Sequence, residues 1–212
     1  MSVDYRGEPL RRYLDDAAAA RPAPGGGSVT AVAAALASTM ASMAAGFTAG
    51  KEKFKAVEPE INEHLARLAE IRKALLDAAH EDMAAYQGIM AAWRLPRETD
   101  EQEEARRRAI REATRVSLEV VGEVLGLAGE VVRIARRLVE IANPNLLSDV
   151  GVAAELGLGA VRAARVNVAV NLAGYDDPEH AAQVRTEADA AVAEAQRLAE
   201  ETREAVMAKL AG

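Results

Sequence analysis

Hydrophobic residues recur at helical spacing along most of this chain, and one run stands out because it carries no charge. The run follows Ser28 and lasts until Lys51. Its bulky side chains fall at intervals of three and four positions: Val29, Val32, Leu36, Met40, Met43 and Phe47. The remaining positions are almost all Ala, Ser, Thr or Gly. This pattern predicts a long helix with a single bulky stripe.

Two locations suit such an uncharged helix. Its length is near the ~20 residues that a membrane span needs, but the bulky apolar residues are sparse and no basic cluster immediately precedes the run. Small residues on several faces let neighbouring helices approach closely. We therefore expect no membrane association, and a central helix enclosed on all sides by other helices, of its own chain or of a partner subunit.

The same periodicity predicts a bundle of four or five long helices and one short helix. The apolar patterns cover residues 10–20, 61–93, 100–141, 148–171 and 181–210. No segment shows the alternation typical of a strand. We expect an all-α fold with residues 1–212 in one domain, and two buried small-residue helices, because segment 148–171 resembles the uncharged run in composition.

Cap and break residues set the expected helix ends. Ser28 and Ser148 are predicted N-caps, Thr99 with Gln102 matches a capping box, and Asp177 precedes a proline at the first helical position. The sequence Asn-Pro-Asn at 143–145 is predicted to end the long helix before it.

The glycine turn Gly25, Gly26, Gly27 allows two interpretations. Glycines can turn the chain sharply before a helix, which is a capping role. A helix N-terminus also presents free N–H groups and the positive end of a dipole, which suit a phosphate or carboxylate. Spacing alone leaves both open.

Composition excludes several kinds of chemistry. The chain has no Cys and three His, so it has neither disulfides nor thiolate sites, and a His-rich metal site is not expected. The net charge is -7, with acidic and basic residues intermixed, which disfavours nucleic acid as a partner. No targeting segment is evident, so we expect a cytoplasmic protein.

Polar residues in apolar surroundings or at helix breaks are the candidates for chemistry. They comprise Ser28 beside the glycines, Lys51, Asp82 with Tyr86, Asn143, Ser148, Asp149, and the pair Asn167 and Asn171. Structural alternatives exist: a solvated carboxylate for Asp82, a cap with a first-turn acid for Ser148 and Asp149, and an exposed helix end for Lys51. Two amides on a Val-rich helix need hydrogen-bond partners, which suggests a ligand or an interface.

Three segments resemble one known family. They are PAPGGGSVTAVAAALASTMASMAAGFTAGK, YQGIMAAWRLPRETDEQEEARRRAI and NPNLLSDVGVAAELGLGAVRAARVNVAVNL, which occur in the family's order and spacing over roughly residues 4–205. The family is that of the cyclodeaminases and cyclohydrolases, which includes methenyltetrahydrofolate cyclohydrolases and the cyclodeaminase domain of formiminotransferase-cyclodeaminase.

This resemblance implies an all-helical, dimeric enzyme that binds a reduced folate in a cleft including the glycine turn. The expected reaction is hydrolysis of 5,10-methenyltetrahydrofolate to 10-formyltetrahydrofolate. The alternatives are cyclodeamination of formiminotetrahydrofolate with release of ammonia, and a non-catalytic scaffold. The folate is a substrate, and no metal or cofactor is expected.

The resemblance also favours the functional interpretation of the candidate residues over the structural one. A carboxylate beside the cationic methenyl bridge stabilises it, and a carboxylate or neutral lysine can take a proton from the attacking water. Asp149, Asp82 and Lys51 are the predicted catalytic groups, with Asp149 nearest the one-carbon unit. The predicted substrate-binding residues are Gly25, Gly26, Gly27, Ser28, Tyr86, Asn143, Ser148, Asn167 and Asn171. We expect a homodimer whose interface includes the helix 28–49.

Overall fold

The computed structural model describes residues 3–211, and every regular element in that range is helical. The all-α prediction is therefore confirmed. The α-helices are α1 (Leu10–Ala18), α2 (Gly26–Gly46), α3 (Glu58–Trp93), α4 (Asp100–Ile141), α5 (Leu147–Leu172) and α6 (Pro178–Ala211). Three short 3-10 turns accompany them: Tyr5–Gly7, Glu52–Val57 and Pro144–Leu146.

Helices α2 to α5 form an antiparallel bundle, with α6 packed outside against α4 and α5. Contacts between helices establish the directions. The N-terminal end of α2 meets Asp82, late in α3, whereas the middle of α2 meets Leu68. An ion pair of 2.7 Å joins Arg67 of α3 to Glu130 of α4. Short connections between long helices produce this up-and-down order.

The observed helix ends agree with two predicted caps and correct two others. Thr99 accepts the N–H of Gln102, and Asp177 accepts the N–H of His180, as expected. Gly25, not Ser28, is the N-cap of α2. Helix α5 begins directly after the 3-10 turn, with Leu146 rather than Ser148 at its N-cap. Both serines consequently lie inside the first turn of a helix.

Helix α2 directs its small residues into the bundle and its bulky residues outward. Its small residues face α3, α4 and α5, whereas its bulky stripe faces solvent in the single chain: Val29, Leu36, Met43 and Phe47 are 40–54% exposed. Alanine and serine let the neighbouring backbones approach, so the bulky side chains have room only on the outside. Helices of the same chain therefore cover only the small-residue face of α2, and enclosure of the bulky stripe by a partner subunit stays a prediction.

Helix α5 shares this arrangement. Ala153, Ala160 and Ala164 are buried against the bundle, but Val152, Leu156, Val166 and Val170 are 38–66% exposed. Because α2 and α5 pack against each other, their exposed stripes are neighbours. The expectation of two buried small-residue helices thus holds for their small faces only.

Helix α2 is long and apolar enough to cross a membrane, with a mean hydropathy of 1.5, and half of that stretch is buried inside the protein. It packs between α3 and α5. In this structure α2 is a bundle helix.

Candidate active site

A pocket lies where α2 begins. Helix α2 has 21 residues, whereas α3 has 36 and α4 has 42, so the longer helices continue past its N-terminus. The space that α2 does not fill is a cavity of ≈ 220 Å³. Its walls include the glycine turn, Asp82, Tyr86, Ser117, Asn167 and Asn171. Six of the nine predicted substrate-binding residues therefore line this pocket, together with one predicted catalytic residue, Asp82.

Asp82 is the carboxylate of this pocket. One of its oxygens, Oδ2, accepts the backbone N–H of Ser28 at 2.9 Å. Burial raises the pKa of Asp82, and the Ser28 hydrogen bond offsets part of that increase. The anion at the N-terminus of α2 is thus the protein's own Asp82. The glycine turn therefore both begins the helix and binds an anion, which combines the capping and the anion-binding interpretations.

Gly27 makes room for this carboxylate. A Cβ built at position 27 would lie 2.0 Å from Oδ1 of Asp82, so any side chain there would force the carboxylate to move. At Gly26 the corresponding Cβ would lie 3.2 Å from Oδ1 of Asn167. The glycines therefore serve a close approach between helices, in addition to the turn.

Two asparagines of α5 complete the wall opposite Asp82. Asn167 donates from Nδ2 to Thr30 at 3.3 Å, and Asn171 donates from Nδ2 to Ser117 at 2.9 Å. With the amide nitrogens held by α2 and α4, the amide oxygens are left as acceptors. Thr30 and Ser117 carry no signal in the sequence that points to a site, because hydroxyls in helices commonly bond their own backbone.

Ser28 lies behind the pocket rather than in its wall. It is fully buried, and its Oγ lies 3.0 Å from the hydroxyl oxygen of Tyr13 in α1. Its amide is already used by Asp82. These contacts are internal, so direct substrate binding by Ser28 stays a prediction that its geometry does not favour.

The other predicted residues lie at the opposite end of α2, about 30 Å away for a helix of this length. Asn143 donates its backbone N–H to Thr48 at 2.8 Å, just past the end of α2. Lys51 follows that end and is exposed, while Ser148 and Asp149 occupy the first turn of α5. One chain therefore does not bring Asp149 to the pocket of Asp82.

The pocket offers hydrogen-bond acceptors and one partly buried carboxylate. Such a site suits a ligand rich in N–H donors or carrying delocalised positive charge. In residues 3–211 no group of three His, Asp or Glu residues is placed to hold a metal ion. The expectation that no metal takes part stays a prediction.

Most of this chain matches one family of known proteins. The model of the family described as formiminotransferase-cyclodeaminase matches residues 9–190. The chain belongs to this family. The resemblance found in the sequence is thereby confirmed, and the family match includes both the pocket and the residues around Asn143.

Individual members of the family extend the match over nearly the whole chain. A methenyltetrahydrofolate cyclohydrolase of Methylorubrum extorquens is 33% identical over 96% of this chain and 98% of its own length. A formimidoyltransferase-cyclodeaminase of Sus scrofa is 30% identical over 84% of this chain, which corresponds to 33% of the pig protein. The crystal structure of a formiminotetrahydrofolate cyclodeaminase from Thermotoga maritima superposes with a TM-score of 0.86, at 26% identity, over 95% of this chain and 97% of that one.

Proposed function

We propose that this protein hydrolyses 5,10-methenyltetrahydrofolate to 10-formyltetrahydrofolate. The observation that carries the proposal is the partly buried Asp82 carboxylate, held by Ser28 at the edge of an acceptor-lined pocket. The methenyl bridge is a cation shared between N5 and N10. A partly desolvated carboxylate beside such a cation stabilises it more strongly than water does.

The same carboxylate suits the proton transfers of the reaction. Water adds to the bridge carbon while Asp82 takes one of its protons, which gives a neutral carbinolamine. Asp82 returns that proton to N5 as the bond between carbon and N5 breaks. The remaining hydroxyl proton is released as the formyl C=O forms on N10. Because burial raises the pKa of Asp82, it can accept and return a proton more readily than an exposed carboxylate.

The second candidate is the cyclodeaminase reaction, in which N10 attacks an N5-formimino group and ammonia leaves. The full-length match to the Thermotoga maritima cyclodeaminase favours it. The cyclohydrolase relative, at higher identity and nearly equal length, favours hydrolysis. The cationic bridge between N5 and N10 occurs in both reactions, as the substrate of hydrolysis and as the product of cyclodeamination, so the pocket serves either one.

We also propose a homodimer in which the exposed α2 and α5 stripes of two copies face each other. These stripes place eight large apolar side chains in solvent when the chain is alone, which a lone soluble protein seldom does. Val170, one of the eight, lines the candidate active site, so the pocket opens onto this face. We place the dimer in the cytoplasm.

An antiparallel arrangement about a two-fold axis explains the two separated groups of predicted residues. It sets the N-terminal end of α2 in one copy against the C-terminal end of α2 in the other. Lys51, Asn143 and Asp149 of the second copy then approach the Asp82 pocket of the first. In this arrangement Asp149 serves the reaction across the interface.

Paired assays test the proposed reaction. Purified protein is mixed with methenyltetrahydrofolate, and loss of the methenyl absorbance is compared with ammonia release from formiminotetrahydrofolate. We expect the rate of methenyl loss to exceed the rate of ammonia release, and Asp82→Asn to lower the rate of methenyl loss about 100-fold or more. The matched control is Glu81→Gln, an exposed neighbour on the same helix. If neither substrate is turned over, the result supports a non-catalytic scaffold. If ammonia is released but methenyltetrahydrofolate is not hydrolysed, the result supports the second candidate.

A further inference from the structure

Tyr13 is a buried tyrosine of α1 that does not line the candidate active site. Its side chain is 6% exposed. The ring packs edge-on against Tyr5, with the centroids 5.2 Å apart, and its hydroxyl lies 3.0 Å from Oγ of Ser28. It therefore contacts the first turn of α2 from the side opposite the pocket.

Ser28 links this tyrosine to Asp82. Its hydroxyl is fully buried, and within residues 3–211 its hydrogen-bond partner is the Tyr13 hydroxyl. Its backbone N–H donates to Asp82 at 2.9 Å. The first turn of α2 is thus held between an aromatic hydroxyl on one side and the carboxylate on the other.

The first turn of α2 needs an external anchor. Its N-cap is Gly25, which provides no side-chain capping bond, and Gly26 and Gly27 follow. Three glycines in succession have the largest conformational freedom of any such segment. Thr30 bonds back to Gly26 at 2.7 Å, and its hydroxyl also accepts from Asn167 of α5 at 3.3 Å, but neither bond reaches Ser28, whose amide holds Asp82.

We propose that Tyr13 is a positioning residue, which holds the Ser28 amide in place and thereby fixes the Asp82 carboxylate in the pocket. The catalytic consequence of this inference rests on the proposed function. Tyr13 reaches the substrate only through Ser28, so its loss affects the rate through the geometry of Asp82. Small displacements of a catalytic group are costly because reacting atoms need close alignment.

The test is Tyr13→Phe, which keeps the ring and removes the hydroxyl. We expect kcat for methenyltetrahydrofolate hydrolysis to fall about tenfold with KM within about twofold. A weaker Ser28 bond stabilises the ionised carboxylate less, so the acidic limb of the rate profile moves to higher pH. Ser28→Ala gives the same loss, and the double variant is no slower than either single variant.

The matched control is Tyr5→Phe, which removes a hydroxyl from the same N-terminal region. The Tyr5 hydroxyl donates to Asp16 at 2.8 Å rather than to Ser28. Its loss leaves kcat and the rate profile unchanged. A structural effect of α1 on the whole fold would lower activity in both tyrosine variants alike.

A second measurement separates this inference from the proposed reaction. The side-chain carboxyl carbon of Asp82 is titrated by NMR in wild type and in Tyr13→Phe, without substrate. A titration at higher pH in the variant supports positioning even if neither folate turns over. An unchanged Asp82 titration overturns the inference, as does unchanged kcat in Tyr13→Phe when the wild type is active.

Discussion

Gly27 lies directly against the carboxylate of Asp82, so that a Cβ at position 27 would be 2.0 Å from Oδ1. The two residues are far apart in the chain and belong to different helices, α2 and α3. Their close approach places a carboxylate over the N-terminal turn of a helix. This close approach requires glycine at position 27, because any side chain there would displace the carboxylate.

We expect Gly27→Ala to displace Asp82 and to lower kcat about 100-fold. The substitution adds a methyl group where the carboxylate lies, although alanine is a better helix former than glycine by about 1 kcal/mol. Gly126→Ala is the control, because Gly126 is exposed on α4, does not line the pocket, and a Cβ there would meet nothing within 4 Å. Equal activity of both variants and wild type in a steady-state assay would show that Asp82 is not held by this contact.

Asp82→Asn should raise stability while lowering turnover. Because burial raises the pKa of Asp82 above its unfolded value, the folded state binds this proton more tightly than the unfolded state. The free energy of unfolding therefore falls as pH rises from the unfolded-state pKa of Asp82 through its folded-state pKa. The full destabilisation by the ionised carboxylate is present at neutral pH. We expect a higher Tm than wild type at pH 7 and no difference below the unfolded pKa, with turnover lower by about 100-fold or more. A lower Tm at pH 7 would contradict an energetic cost of the buried charge.

Leu36→Glu should disrupt the dimer without unfolding the subunit. Leu36 is 51% exposed in the single chain, in the middle of the α2 stripe. Ala41 is fully buried inside the subunit, so a charge there would destabilise the fold and could not report on the interface. Met207→Glu, on the exposed side of α6, is the control. Light scattering should show a monomer for Leu36→Glu alone, with helical circular dichroism retained in both variants.

Mixing two inactive variants tests the shared site. If Asp82 of one copy works with Asp149 of the other, a heterodimer of Asp82→Asn and Asp149→Asn contains one intact site and one doubly altered site. Random exchange of subunits should then restore about a quarter of the wild-type activity, since half of the dimers are mixed and each has one working site. No recovery after subunit exchange, confirmed by mass spectrometry of differently tagged chains, would place both residues of each working site in one chain or remove Asp149 from the mechanism.

The helices were predictable from sequence because their signals are local. Spacing of three and four positions along 100–141 predicts α4, and the Thr99 and Asp177 caps depend on neighbours a few residues away. Where a competing cap precedes the expected one, as Gly25 precedes Ser28, the local signal does not distinguish the two. Helix boundaries were accordingly less certain than helix existence.

The candidate site could be predicted only in part. Asp82, Tyr86, Asn167 and Asn171 were identifiable as polar residues in apolar segments, and the structure places them around one pocket. Tyr13, Thr30 and Ser117 were not, because their partners lie in other helices. The sequence also did not reveal that Lys51, Asn143 and Asp149 lie at the other end of α2, since motif order carries no information on distance in space.

The sequence by itself determined the all-helical class, the approximate extent of each helix and the family, because periodicity, caps and motifs are properties of neighbouring residues. Only the tertiary structure decided which face of α2 points inward. A stripe of bulky residues opposite a face of alanines is compatible with either orientation until the neighbouring helices are in place. Close packing then selected the alanine face for the interior, which left Leu36 and Phe47 in solvent and brought Asp82 against Gly27.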